Sequence, residues 1–71
     1  MDNIKFELGQ SIRSCRKKKN ITQKELALLV GTKQDYISKL ENGMINITVD
    51  SLSDIASALK CDIRKILKVF S

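Results

Sequence analysis

The sequence predicts an all-α fold, a compact bundle of five helices, on three observations. Proline is absent and glycine occurs only three times in 71 residues, so little interrupts a helix. Apolar residues recur at i, i+3, i+4 and i+7 spacing, and no segment alternates as a half-buried strand does. Strong start and stop signals then fall between those stripes.

The first helix is expected over about Asp2 to Lys19, with Leu8, Ile12 and Cys15 on one face. Its end is basic (Arg16, Lys17, Lys18, Lys19), which complements the negative end of the helix dipole. Asn20 is a left-handed stop. The second helix begins at Thr22, which forms a capping box with Glu25. Leu26, Ala27 and Val30 mark its buried face, and Gly31 ends it where positive φ costs little. Thr32 is the expected cap of the third helix, Lys33 to Glu41, which buries Ile37 and Leu40 and turns Lys33, Gln34, Asp35, Ser38 and Lys39 outward. Asn42-Gly43 closes it with turn chemistry. Thr48 caps the fourth helix, whose stripe is Leu52, Ile55, Ala56 and Leu59. Asp62 caps a fifth helix carrying Ile63, Ile66, Leu67 and Phe70.

Composition narrows the function classes. A 71-residue chain is read as one domain, residues 1–71, with a thin core. The 42% apolar content excludes a disordered chain, and the apolar run Leu26–Val30 is far too short to span a membrane. With no signal peptide pattern, the expected address is the cytoplasm. Two cysteines, Cys15 and Cys61, stand far apart in a chain without histidine, so no metal and no cofactor are expected, only two reduced thiols. No nucleophile–base pair and no phosphate-cradling glycine loop is present, so no enzyme is expected. The net charge of +5 lies wholly in residues 1–39, where nine Lys/Arg face four Asp/Glu. A basic half points to an anionic partner such as nucleic acid.

Gln23 to Asn42 reads as a helix, a tight turn and a second helix. Small Ala27 permits a steep crossing, Gly31 supplies the turn, and Ile37 with Leu40 pins the second helix while leaving its polar side outward. A helix of that length, at about 1.5 Å per residue, fits a major groove about 12 Å wide. These are the requirements of a DNA-binding helix-turn-helix.

The run T-Q-K-E-L-A-L-L-V-G-T-K-Q-D-Y-I-S-K-L-E-N-G, Thr22 to Gly43, resembles the Xre family of phage repressor and Cro-like proteins. I-R-S-C-R-K-K-K-N-I resembles that family's first helix, and N-I-T-V-D-S-L-S-D-I-A-S-A-L its loop and fourth helix. The resemblance covers about residues 8–67. It implies a repressor-like domain that regulates transcription as a homodimer on palindromic double-stranded DNA, its half-sites one turn, about 34 Å, apart. Lys33, Gln34, Asp35 and Lys39 become the base readers, Gln34 through the bidentate bond an amide makes to adenine. Arg16, Gln23, Lys24, Tyr36, Ser38 and Asn42 become phosphate contacts. Arg16 and Glu41 match a family ion pair, expected at the surface and contributing at most about 1 kcal/mol. The dimer seam is expected on Ile63, Ile66, Leu67 and Phe70.

Single-domain members of the family include phage repressors, antitoxins and controllers of restriction–modification systems, and Y-I-S-K-L-E-N-G with N-I-T-V-D-S-L leans toward the controllers. The alternative reading is an antitoxin or other protein-interaction module, motivated by the uncharged loop Met44-Ile45-Asn46-Ile47 and by Val69-Phe70. A toxin or RNA polymerase would then be the protein partner, though no residue announces a polymerase contact.

Overall fold

The computed structural model describes residues 4–67. They form α1 (Ile4–Lys18), α2 (Gln23–Val30), α3 (Gln34–Glu41), α4 (Val49–Leu59) and α5 (Ile63–Ile66). There are no strands among them, in keeping with the all-α expectation. None of these helices is long and apolar enough to cross a membrane.

Most boundaries fall where the local chemistry puts them. At α2, the Glu25 N–H donates to Thr22 Oγ1 at 3.0 Å and the Thr22 N–H donates to Glu25 Oε1 at 2.8 Å. This reciprocal cap satisfies two backbone donors that the helix itself leaves free. Glu25 is held ionised below its ordinary carboxylate range, chiefly by that backbone N–H of Thr22. Thr48 caps α4 by accepting from the Ser51 N–H at 3.1 Å, and Asp62 caps α5 by accepting from the Arg64 N–H at 2.9 Å. Asn20 takes the left-handed conformation at φ 57° and stops α1.

The cap of α3 differs from expectation, and the stop of α4 falls at a residue for which no stop was expected. The cap of α3 is Lys33, extended at φ −97° and ψ 152°, and no side chain caps that helix. Thr32 instead belongs to the preceding turn, its N–H donating to the Ala27 carbonyl at 2.8 Å. The α4 stop is Lys60 at φ 53°, a left-handed lysine that no turn residue advertises. Its neighbour Cys61 closes the end of α4 with an N–H bond to the Ala56 carbonyl at 3.0 Å.

The core gathers stripes from all five helices. Ile12 of α1, Leu26 of α2, Ile37 and Leu40 of α3, Ile55 and Leu59 of α4, and Ile66 of α5 are all enclosed. Each such side chain, fully buried, contributes about 1.5–3 kcal/mol. Ile45 and Ile47, from the uncharged loop, fold back onto this core, and only Met44 of that loop's apolar residues stands in solvent. Ile45 and Ile47 therefore belong to the core margin rather than to a free apolar surface.

The α5 residues are divided by the packing. Ile66 has no exposed surface, so it closes the core and has nothing to offer a partner subunit. Ile63 and Leu67 are half-buried at the core margin. Phe70 lies outside the described residues.

Candidate nucleic-acid interface

The candidate interface is built on α2 and α3. The steep passage between them is made by Gly31, at φ 74°, whose N–H donates to carbonyls in the last turn of α2. A Cβ at Gly31 would meet nothing within 4 Å, so glycine is required there by backbone conformation alone. Ala27, buried at the crossing, leaves the room α3 needs.

The end of α3 is locked from below. Glu41 is 1% exposed, and so is essentially removed from water. Its carboxylate accepts from Arg16 Nε at 2.7 Å, Arg16 Nη2 at 3.0 Å and Gln23 Nε2 at 3.0 Å. Its backbone carbonyl accepts from Gln10 Nε2 at 3.0 Å. Arg16 is 7% exposed and spends a further N–H on the Ile21 carbonyl at 2.9 Å. No buried side-chain N or O atom among the described residues lacks a partner. Three helices thus meet at one carboxylate, in the bidentate geometry that makes such pairs strong and directional.

This corrects two expectations for Arg16. The pair with Glu41 is buried rather than superficial, and losing one partner would strand a charge at a cost of about 3–5 kcal/mol. Arg16 is also turned inward, its guanidinium bonded to Glu41 and Ile21 and only 7% of the residue exposed, so the group expected at a phosphate is engaged within the fold. Gln23 shares the bracing role while standing half-buried at the start of α2, beside exposed Lys24.

A second device brings α1 onto α3. A Cβ on Gly9 would come within 2.7 Å of the Glu41 carbonyl oxygen, and would also strike that of Leu40. Only glycine lets α1 lie directly on the last turn of α3. The signal was present in the sequence as a glycine inside a helical stripe, directly after Leu8. Gln10 was equally unremarked, because its partner is a backbone carbonyl 31 positions away.

On the outer side of α3, Lys33, Gln34, Asp35 and Lys39 are all exposed. Asp35 and Lys39, one turn apart, pair at 3.2 Å with both side chains largely in solvent. Gln34, Ser38 and Asn42 follow one another at i+4 spacing, which places them in one row. Asn42 donates its side-chain N–H to the Ser38 carbonyl at 2.9 Å, holding the end of that row in place. Tyr36 is half-buried against the core. A groove of about 760 Å³ runs beside this surface, bounded by Thr32, Lys33, Tyr36, Lys39, Ile45 and Asn46.

Residues 12–66 match the family profile HTH_3, described as helix-turn-helix. The chain is 36% identical over 59 residues to the control protein C.BamHI of Bacillus amyloliquefaciens, covering 82% of this chain and 73% of that one. It is 34% identical over 65 residues to the control protein C.SmaI of Serratia marcescens, covering 92% and 77% respectively. The structure superposes on that of the restriction–modification controller protein C.AhdI of Aeromonas hydrophila with a TM-score of 0.82. That match has 30% identity and covers 86% of this chain and 88% of the other.

Proposed function

The chain belongs to the helix-turn-helix family of DNA-binding transcriptional regulators, the family of the restriction–modification control proteins, and from that premise we propose that it is a controller-type regulator acting as a homodimer on a palindromic operator. The observation that carries this reading is the outward side of α3. The polar side of α3 is exposed while its apolar side is packed in the core and its far end is fixed by the buried Glu41 cluster. A helix held this way enters a major groove without losing much conformational freedom on binding.

Gln34 is the central reader in this proposal, with Lys33, Asp35 and Lys39 around it. The Asp35–Lys39 pair must open or turn as a unit for either residue to reach a base edge. Gln23, Lys24, Tyr36, Ser38 and Asn42 face the flanking phosphates. Symmetric pairing of two copies through the α5 margin, at Ile63 and Leu67, would set the half-site spacing.

Binding-site selection from random double-stranded DNA tests the reading as a whole. The expected result is a two-fold symmetric site, with affinity falling by about 0.9 log units per contacted phosphate for each tenfold rise in salt. No enrichment over random DNA, or affinity insensitive to salt, refutes DNA binding. Gln34→Ala is expected to cost about 1–3 kcal/mol and to relax preference at one base position per half-site. An unchanged site logo would remove Gln34 from the readers.

A further inference from the structure

We propose that Cys15 and Cys61 form a reversible oxidation site, which a small anionic disulfide such as oxidised glutathione converts into an intramolecular disulfide tying α1 to the α4–α5 turn. The two cysteines are 46 positions apart in sequence, yet their Sγ atoms lie 2.8 Å apart, with the Cys61 thiol donating to the Cys15 sulfur. Both are free thiols. A disulfide bond is about 2.05 Å long, so closure needs only a small further approach.

The backbone on each side holds this pairing. Cys15 sits on α1 between buried Ile12 and buried Arg16. Cys61 follows the left-handed Lys60, is bonded to the end of α4 through its own N–H, and precedes the Asp62 cap of α5. Two rigid elements therefore present the sulfurs to each other.

The two sulfurs are not equivalent, and the difference orders the chemistry. Cys15 is buried, and burial together with the neighbouring Cys61 pushes its thiol up to about 11. Cys61 is half-buried and lies at a cleft of about 580 Å³ whose rim carries Lys18, Lys19, Lys60 and Lys65. The one acidic residue on that rim, Asp62, is already engaged by Arg64 at 2.8 Å. A cationic rim raises the local concentration of an anionic oxidant.

Cys61, as its thiolate, attacks one sulfur of the oxidant. The oxidant's S–S bond breaks, and one glutathione leaves with the electron pair and takes up a proton. Cys15 then loses its proton to water and attacks Cys61 Sγ of the mixed disulfide, expelling the second glutathione. The protein gives up two protons and two electrons, and the oxidant takes up both and is reduced to two thiols. Capping Cys61 in the first step removes the neighbouring thiol that had helped to hold Cys15 protonated.

The test uses the full chain, fully reduced and then equilibrated in graded mixtures of reduced and oxidised glutathione. Samples are acid-quenched, alkylated and weighed intact. The expected product is a monomer lighter by two hydrogens that takes up no alkylating agent, and dithiothreitol reverses it. Closing a loop of this length should raise the thermal midpoint by about 10 °C or more. Closure should also be at least about tenfold slower in urea, where the fold no longer supplies the effective concentration. Cys61→Ser and Cys15→Ala should each abolish the lighter species. The proposal is overturned if native protein keeps two alkylatable thiols in excess oxidised glutathione, if it stops at mixed disulfides, or if it links only between molecules. Should Cys15→Ala fail to fold, the native-against-urea rates of the unaltered chain decide the matter alone.

Discussion

Asp35 and Glu41 sit on the same helix, six positions apart, and each is paired with a cation. Their situations are otherwise opposite. Glu41 is enclosed, its carboxylate shared by Arg16 of α1 and Gln23 of α2. Asp35 is 74% exposed and bonded only to Lys39 of its own helix. The first pair joins elements distant in the chain, so it positions the helix. The second is local and screened by solvent, so it stays available for exchange with another partner. One end of α3 is committed to the fold, and its outer side is left to solvent.

The sharpest way to break that contrast is Glu41→Gln, which leaves the Arg16 guanidinium buried without a counter-charge. The expected loss is about 3–5 kcal/mol. A domain of this size has about 4–10 kcal/mol in total at 0.05–0.15 kcal/mol per residue. Urea denaturation should therefore find the variant close to unfolded at ambient temperature. A loss under about 1 kcal/mol would return the pair to the surface class. The double variant Arg16→Met, Glu41→Leu should recover much of that loss, because no charge is then stranded.

Gly9→Ala tests the other fastening of α3. The added methyl meets backbone oxygens, which cannot swing aside as a side chain would. Destabilisation of about 1–3 kcal/mol is expected by thermal melting. This loss exceeds and opposes the gain that alanine ordinarily brings to a helix interior. A stabilised variant would mean that α1 does not rest on the α3 backbone.

Acid tests the solvent-facing cap of α2. Glu25 titrates below its ordinary value of 4.5 in the folded chain, first through the Thr22 N–H. A depressed folded value means that its contribution is fully present above the unfolded value and is lost as pH falls through the folded one. Stability should thus decline below about pH 4.5, and Glu25→Gln should flatten part of that decline. An identical pH profile for the variant would show that the cap does not titrate with folding.

The smallest effect is expected at Asp35→Asn, within about 0.5 kcal/mol of the unaltered stability, since an exposed pair one turn apart contributes little. In the DNA reading, where Asp35 is one of the base readers, the same change should alter the preference at one base position per half-site, read by binding-site selection. A stability loss as large as that of Glu41→Gln would erase the distinction between the two carboxylates.

Local chemistry was readable wherever its signal spans a few residues. The Thr22–Glu25 box, the Asn20 and Gly31 stops, the Thr48 and Asp62 caps and the α4 stripe all follow from short-range geometry. The outward set Lys33, Gln34, Asp35 and Lys39 follows from the same rule, since helical periodicity alone turns them away from Ile37 and Leu40. Lys60 was missed because lysine is not a residue type that signals the left-handed conformation it adopts, φ 53°.

The order of residue types along the chain was enough to place the five helices, most of their ends and the outward side of α3, because each depends on residues within a turn or two of one another. The tertiary structure decided how deeply the Arg16–Glu41 pair lies, that Gly9 is a seat for the α3 backbone, that Ile66 belongs to the core, and that Cys15 meets Cys61. All four depend on distances between segments far apart in the chain. A pattern of residue types fixes a helix face, but only the assembled packing decides what that face touches and whether water is excluded there.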